Sequence, residues 1–194
     1  MKLVNLTVTF ALSILSFFAS GAISAVTVLP RVVPPGASTP LFYLVASSAD
    51  QGSNLLPLRM SGGTSDFASL AGRGPIGQFY FFQGRLTALD PSSNTNPSPY
   101  HPQISTILGS TGCSTYGPLG FIQQSSSNKC SRFDTFQLQS NTENGQLGAR
   151  LVFNFIGGFY ACGTGRDVWY KVAPEDGPSN CSPVILHTVP VVVA

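Results

Sequence analysis

Phe133-Asp-Thr-Phe-Gln-Leu-Gln139, Asn144-Gly-Gln-Leu147, Gly157-Gly-Phe-Tyr-Ala-Cys162, Val168-Trp-Tyr-Lys-Val-Ala173 and Cys181-Ser-Pro-Val-Ile-Leu186 follow one another between Phe133 and Val189. Each piece is a short apolar run, rich in aromatic and β-branched residues, bounded by Gly, Pro, Asn or Asp. That pattern reads as strands joined by turns. Asn144-Gly145 between two such runs is the strongest local hairpin signal in the chain. Nowhere in the chain does an apolar 3.6-residue period persist over a helical length. These observations decide the fold class: all-β, read here as a single-domain antiparallel β-sandwich, with a β-trefoil or barrel as the alternative.

The rest of the chain extends the same reading. Pro40–Ala46, Gly77–Phe82 and Arg85–Leu89 are predicted strands, and Gln83-Gly84 is a turn. Leu55–Met60 is another apolar run, but Pro57 demotes it to an edge or bent strand. About nine or ten strands are expected in all. Residues 26–39 hold Pro30, Pro34 and Pro35 and form an extended Pro-rich lead-in to a domain spanning 40–194. Residues 90–132 are rich in Pro, Ser, Asn and Thr and read as a long loop insertion, with one apolar run at Leu119–Ile122.

The N-terminus follows a different logic. Met1-Lys2 is a short basic start, Leu3–Phe18 is mainly apolar, and Ala19–Ala25 supplies small residues. This is the layout of a secretory signal peptide, here residues 1–25. It implies a secreted, extracellular protein with no membrane attachment in the mature form.

Charge narrows the partners. Charged residues make up 9% of the chain, with a net charge of +2, against about 25% charged in an average domain. So neutral a chain has no electrostatic footprint for nucleic acid. The four cysteines, Cys113, Cys130, Cys162 and Cys181, form an even set in an oxidising compartment and read as two disulfides. Of three connectivities, the sequential one, Cys113–Cys130 and Cys162–Cys181, is taken here. Neither close Cys pairs nor clustered histidines exist to suggest a metal site, and no cofactor motif is present.

The segments Phe136-Gln-Leu138, Asn144-Gly-Gln-Leu147, Gly158-Phe-Tyr-Ala-Cys162, Val168-Trp-Tyr-Lys-Val-Ala173 and Pro178-Ser-Asn-Cys181 occur in this order. Together they resemble the C-terminal half of secreted fungal cell-wall proteins of the phialide type, also described as IgE-binding or hypersensitive-response-inducing proteins. Phe42-Tyr-Leu-Val-Ala46 is similar to their N-terminal strands. Asp90–Cys130 and the Pro-rich lead-in do not share the pattern. The resemblance implies a non-enzymatic protein of the wall or its surroundings, with no catalytic residues to carry over. Cys162 and Cys181 are the matched positions, and their implied role is structural.

His101 and His187 are isolated, and His187 is expected to face outward from a strand. The acids Asp50, Asp66, Asp90, Glu143, Asp167, Glu175 and Asp176 fall in predicted turns, and Asp134 heads a strand. A glycoside hydrolase needs two facing carboxylates, so that activity is a distant alternative. Asp167, Glu175 and Asp176 near the Cys162–Cys181 loop form a minor calcium alternative. Exposed aromatics point to sugar, because Trp and Tyr offer an apolar face with a polar tip. Trp169, Tyr170 and Tyr160 are the candidate ligand-binding residues, with Tyr116 and Tyr100 behind them. Alternation puts Val168, Tyr170 and Val172 on one face and Trp169 and Lys171 on the other. Lys171 argues that Trp169 faces partly outward; the alternative is that Trp169 packs beneath a loop. The expectation is a structural or surface protein of a fungal cell wall, with wall polysaccharide as the alternative partner.

Overall fold

A computed structural model describes residues 31–61, 67–90, 99–123, 126–142 and 146–192. The signal-peptide reading at 1–25 and the Asn144-Gly145 turn lie outside these residues. Among the described residues there is no helix and hence none able to cross a membrane. The described residues form thirteen strands: β1 (Phe42–Ser47), β2 (Gln78–Phe82), β3 (Arg85–Leu89), β4 (His101–Ser105), β5 (Leu108–Gly109), β6 (Gly112–Cys113), β7 (Tyr116–Ile122), β8 (Ser131–Arg132), β9 (Phe136–Gln139), β10 (Arg150–Phe153), β11 (Gly158–Cys162), β12 (Asp167–Lys171) and β13 (Cys181–Pro190). Every pairing between them is antiparallel.

β13 is the axis of the molecule. Its N-terminal half pairs with β11, from Cys162↔Cys181 to Phe159↔Val184. Its C-terminal half pairs with β1 from Ser47↔Ile185 to Phe42↔Pro190. One long strand thus serves two leaflets, β3-β2-β1 on one side and β11-β12-β7-β4-β8 on the other. β10 and β9 branch from β13 at Arg150↔His187. The sheet curls far enough for its arms to meet: Ala88, on β3, and Tyr100, just before β4, exchange both backbone hydrogen bonds at 2.9 and 2.8 Å. The all-β antiparallel expectation holds, as one curled sheet that wraps a shared core like a sandwich and bends like part of a barrel.

The core follows from the period of two. In β1, Phe42, Leu44 and Ala46 point inward and alternate with half-buried neighbours. Phe79, Phe81, Leu86, Ile104, Leu119, Phe136, Phe153, Phe159, Tyr170 and Leu186 join them in one contiguous cluster. Removing this apolar surface from water is the main term holding the sheet curled. Tyr80 faces the other way and meets Leu41 and Val191 in a smaller cluster. The described part of the lead-in packs Val32 and Ala37 against this second layer, pinned by Ser38 N–H to Phe81 O at 2.7 Å and Leu41 N–H to Val32 O at 2.7 Å.

Three expectations change. The insertion expected at 90–132 is not one loop, because β4 and β7 run side by side within the sheet and bury Ile104 and Leu119. Composition hid β4: Pro102 sits inside it, paired with Phe121 on one side. On the other side β8 reaches only Ile104 and Ser105, so its ladder asks nothing of the missing Pro102 amide hydrogen. Leu55–Met60 makes isolated bridges, Val45↔Pro57 and Arg59↔Ser69, instead of a strand. His187, expected outward, is 3% exposed; Arg150 of β10 is its neighbour in the sheet, and its Nδ1 lies 3.2 Å from the O of Gly148, just before that strand.

Both expected disulfides form, Cys113–Cys130 and Cys162–Cys181. Such links fit an oxidising environment. Cys162 and Cys181 are direct partners across β11 and β13, with Cα atoms 4.1 Å apart. Cys113 belongs to the small β5–β6 ribbon and ties it to the segment leading into β8, where Thr106 Oγ1 donates to Cys130 O at 2.6 Å.

Candidate functional site

The candidate residues lie on β11, β12 and β7, whose registers are continuous. Across the sheet, Pro183, Tyr160, Trp169 and Pro118 stand directly opposite one another on β13, β11, β12 and β7. Strands lie about 4.8 Å apart, so the row spans roughly 14 Å. Pro183 is exposed, Tyr160 and Trp169 are partly exposed, and Pro118 is buried. Tyr116 sits two residues before Pro118 on the same face of β7. Its ring centroid lies 6.4 Å from that of Trp169, with planes 31° apart. Alternation along β11 and β12 accounts for the row, because the opposite positions, Phe159, Ala161, Val168 and Tyr170, are all core residues.

Tyr170 is therefore corrected as a ligand-contact candidate. It is 3% exposed and points into the core. Its ring meets Phe153 edge to face at 4.7 Å and Phe159 at 6.1 Å. Its hydroxyl is buried without a hydrogen-bond partner. Burial raises the Tyr170 pKa above 10.0; the nearby Gly157 backbone and the charge of Arg132 oppose that shift without cancelling it. Tyr100, the other outlying candidate, is half-buried against the main core.

Lys171 is on the face expected for it but is 1% exposed. The turn after β12 folds over it. Lys171 Nζ donates to Pro178 O and to Pro174 O, the latter at 3.4 Å. It also lies 5.1 Å from the centre of the Tyr160 ring, within range of a cation–π attraction. Desolvation lowers its pKa, and the charge of Asp176 opposes that shift. The same turn is fixed by Asp176 Oδ2, which accepts from Thr115 Oγ1 at 2.8 Å and from Ala173 N at 3.2 Å. Gly177 has a φ of 64°, and a Cβ there would lie 2.7 Å from the Tyr116 ring. The turn thus grips the cation behind Tyr160 and presses against Tyr116, while Cys162–Cys181 closes its base.

Among the described residues the acids are dispersed; Asp66 and Glu143 lie outside them. Asp167 is buried at the head of β12 beside Ser69, Asp176 serves the Lys171 turn, and Glu175 and Asp134 are exposed. Asp50 pairs with Arg166, and both bond Ser53: Ser53 Oγ donates to Asp50 Oδ2 at 2.8 Å, and Arg166 Nη1 donates to Ser53 Oγ at 2.7 Å. Among the described residues no group of three or more His, Cys, Asp or Glu side chains is arranged to hold a metal ion. The calcium alternative at Asp167, Glu175 and Asp176 therefore lacks a site, and its reason is burial of Asp167 away from the other two.

Sequence reasoning picked out Tyr160, Trp169 and Tyr116. It missed Pro183, whose place in the row depends on the β11–β13 register. It also missed the clasp on Lys171, whose only sequence signal is the turn chemistry of Pro174, Gly177 and Pro178. No family model, curated protein or solved structure matches this chain.

Proposed function

We propose that this chain is a secreted, non-enzymatic protein of a fungal cell wall, and that it holds wall polysaccharide through the outer face of β11 and β12. One observation carries the binding reading: Tyr160 and Trp169 stand directly opposite each other on the solvent side, with Tyr116 beside them. Sugar rings present apolar C–H faces that pack on such rings, while their hydroxyls bond to water and to polar rims. The row is held by paired strands, a disulfide and the Lys171 clasp, so little ordering entropy is lost on binding. Two disulfides and a surface poor in charge support the extracellular setting.

The test is retention on insoluble glucan, chitin and mannan. The native chain is expected to be retained on at least one, and Trp169→Ala to lose that retention while keeping its fold. Absence of native retention on all three would leave the second reading, a wall component with a purely structural role. That second reading is favoured by the two short stapled loops, which stabilise the fold whether or not a ligand is held.

A further inference from the structure

β13 changes partner on one edge between Val184 and His187. β11 holds that edge up to Val184, and β10 meets it at the single position Arg150↔His187. β10 and β11 are therefore not paired with each other, and the sheet opens between them. The opening is a cleft of about 410 Å³, within the range of small-molecule sites. Half-exposed Val152 and Ile185, with exposed Phe155, give it an apolar side, and Gln139, Arg150 and the Gly157-Gly158 backbone make the rest polar; Leu151, Phe153, Phe159 and Val184 border it but are almost fully buried.

Among the described residues Arg150 is the one charged side chain that lines the cleft. Arg150 Nε donates to Gln139 Oε1 at 3.0 Å. That bond fixes the guanidinium plane and leaves both Nη groups without a hydrogen-bond or ion-pair partner among the described residues. A guanidinium held in this way presents the fork that matches a carboxylate. At the mouth, Phe155 is 57% exposed and has a φ of 56°, a backbone conformation unfavourable for a bulky residue. The chain thus holds an apolar ring out at the lip of the cleft.

We propose that this cleft binds an apolar monocarboxylate, with the carboxylate on Arg150 and the apolar part against Val152, Phe155 and Ile185. An aliphatic and an aromatic acid share this chemistry. The site is separate from the Trp169 row, and its occupancy does not depend on polysaccharide binding.

Calorimetric titration of the full chain tests this. Octanoate represents an aliphatic acid and benzoate an aromatic one. Octanol keeps the tail without the charge, and acetate keeps the charge without the tail. Saturable one-to-one binding of octanoate or benzoate is expected, with octanol and acetate weaker by about tenfold or more. The acid that binds more tightly identifies the source. Arg150→Gln is expected to bring octanoate down to the level of octanol and leave octanol unchanged. If that variant does not fold, Val152→Glu serves instead. Val152 lines the cleft and is half-exposed opposite Gln137, so a carboxylate there weakens the acids more than octanol. The proposal is overturned if neither acid binds the native chain, if octanol binds as tightly as octanoate, or if a folded variant binds octanoate like the native chain. Trp169→Ala is expected to bind octanoate normally, which separates this site from the polysaccharide face.

Discussion

Tyr160 and Trp169 are register partners across the β11–β12 ladder, and both present their rings to the outer face. The next residue, Tyr170, is in the core. The adjacent aromatics Trp169 and Tyr170 thus do opposite work, and the structure permits each role to be tested alone.

The outer row depends on the turn that clasps Lys171. Gly177→Ala is expected to weaken polysaccharide retention without touching Trp169. The new methyl would strike the Tyr116 ring, and the positive φ disfavours any side chain. A loss of about 1 kcal/mol or more in stability should accompany it, measured by urea unfolding. Retention and stability both equal to the native chain would show that the turn does not position Tyr116.

Tyr170→Phe should stabilise the protein by about 1 kcal/mol, because it removes a buried hydroxyl that lacks a partner. It should also alter the alkaline limb. Burial raises the folded pKa of Tyr170 above 10.0. As pH rises past 10.0 the unfolded chain loses this proton first, and stability falls until the folded pKa is passed. Lys171 acts with the opposite sign: its folded pKa is lowered from 10.5, so stability rises with pH between that lowered value and 10.5. Comparing the variant with the native chain at each pH isolates Tyr170. An unchanged alkaline limb would contradict this account.

Replacing Cys162 and Cys181 together by Ser removes a link between residues 19 apart. Loop-closure entropy gives a loss of about 3 kcal/mol, or about 6–12 °C in Tm for a chain of this size. The Cys113 and Cys130 pair, 17 apart, should cost a similar amount. Polysaccharide retention should separate them: the first pair closes the base of the Lys171 turn and the second does not. Equal retention by both variants at a temperature where both are folded would contradict that assignment.

Asp50 provides an acid-side test. The hydrogen bond from Ser53 is the largest influence on it; partial desolvation opposes, and Arg166 adds to the lowering, so its pKa falls below 3.8. Its stabilising effect is therefore present above pH 3.8 and lost as pH falls through the folded pKa. Asp50→Asn should differ from the native chain at neutral pH and converge with it in acid. A difference that stayed constant across the acid range would refute the charge-based account.

Much of the fold was legible because alternation is a local property. Phe42, Leu44 and Ala46, Phe159 and Ala161, and Val168 and Tyr170 all declare their inward face within their own strand. The Gln83-Gly84 turn was legible too, with both residues at positive φ, 49° and 77°. β4 was not, since its Pro102 and polar flanks resemble loop composition, and only pairing with β7 makes it a strand. The same holds for burial of Lys171 and His187. Alternation gives the side of the sheet a residue points to, but not whether another segment covers that side.

The sequence by itself determined the all-β class, the inward face of most strands and the four cysteines available for two links, because these depend on residues close together in the chain. Only the tertiary structure decided which strands meet. It set the long β13 at the axis and put Pro183 in line with Tyr160 and Trp169. It folded a turn over Lys171 and opened a cleft beside Arg150. Each of these depends on register between distant segments, and register is fixed by closing the whole sheet around one core.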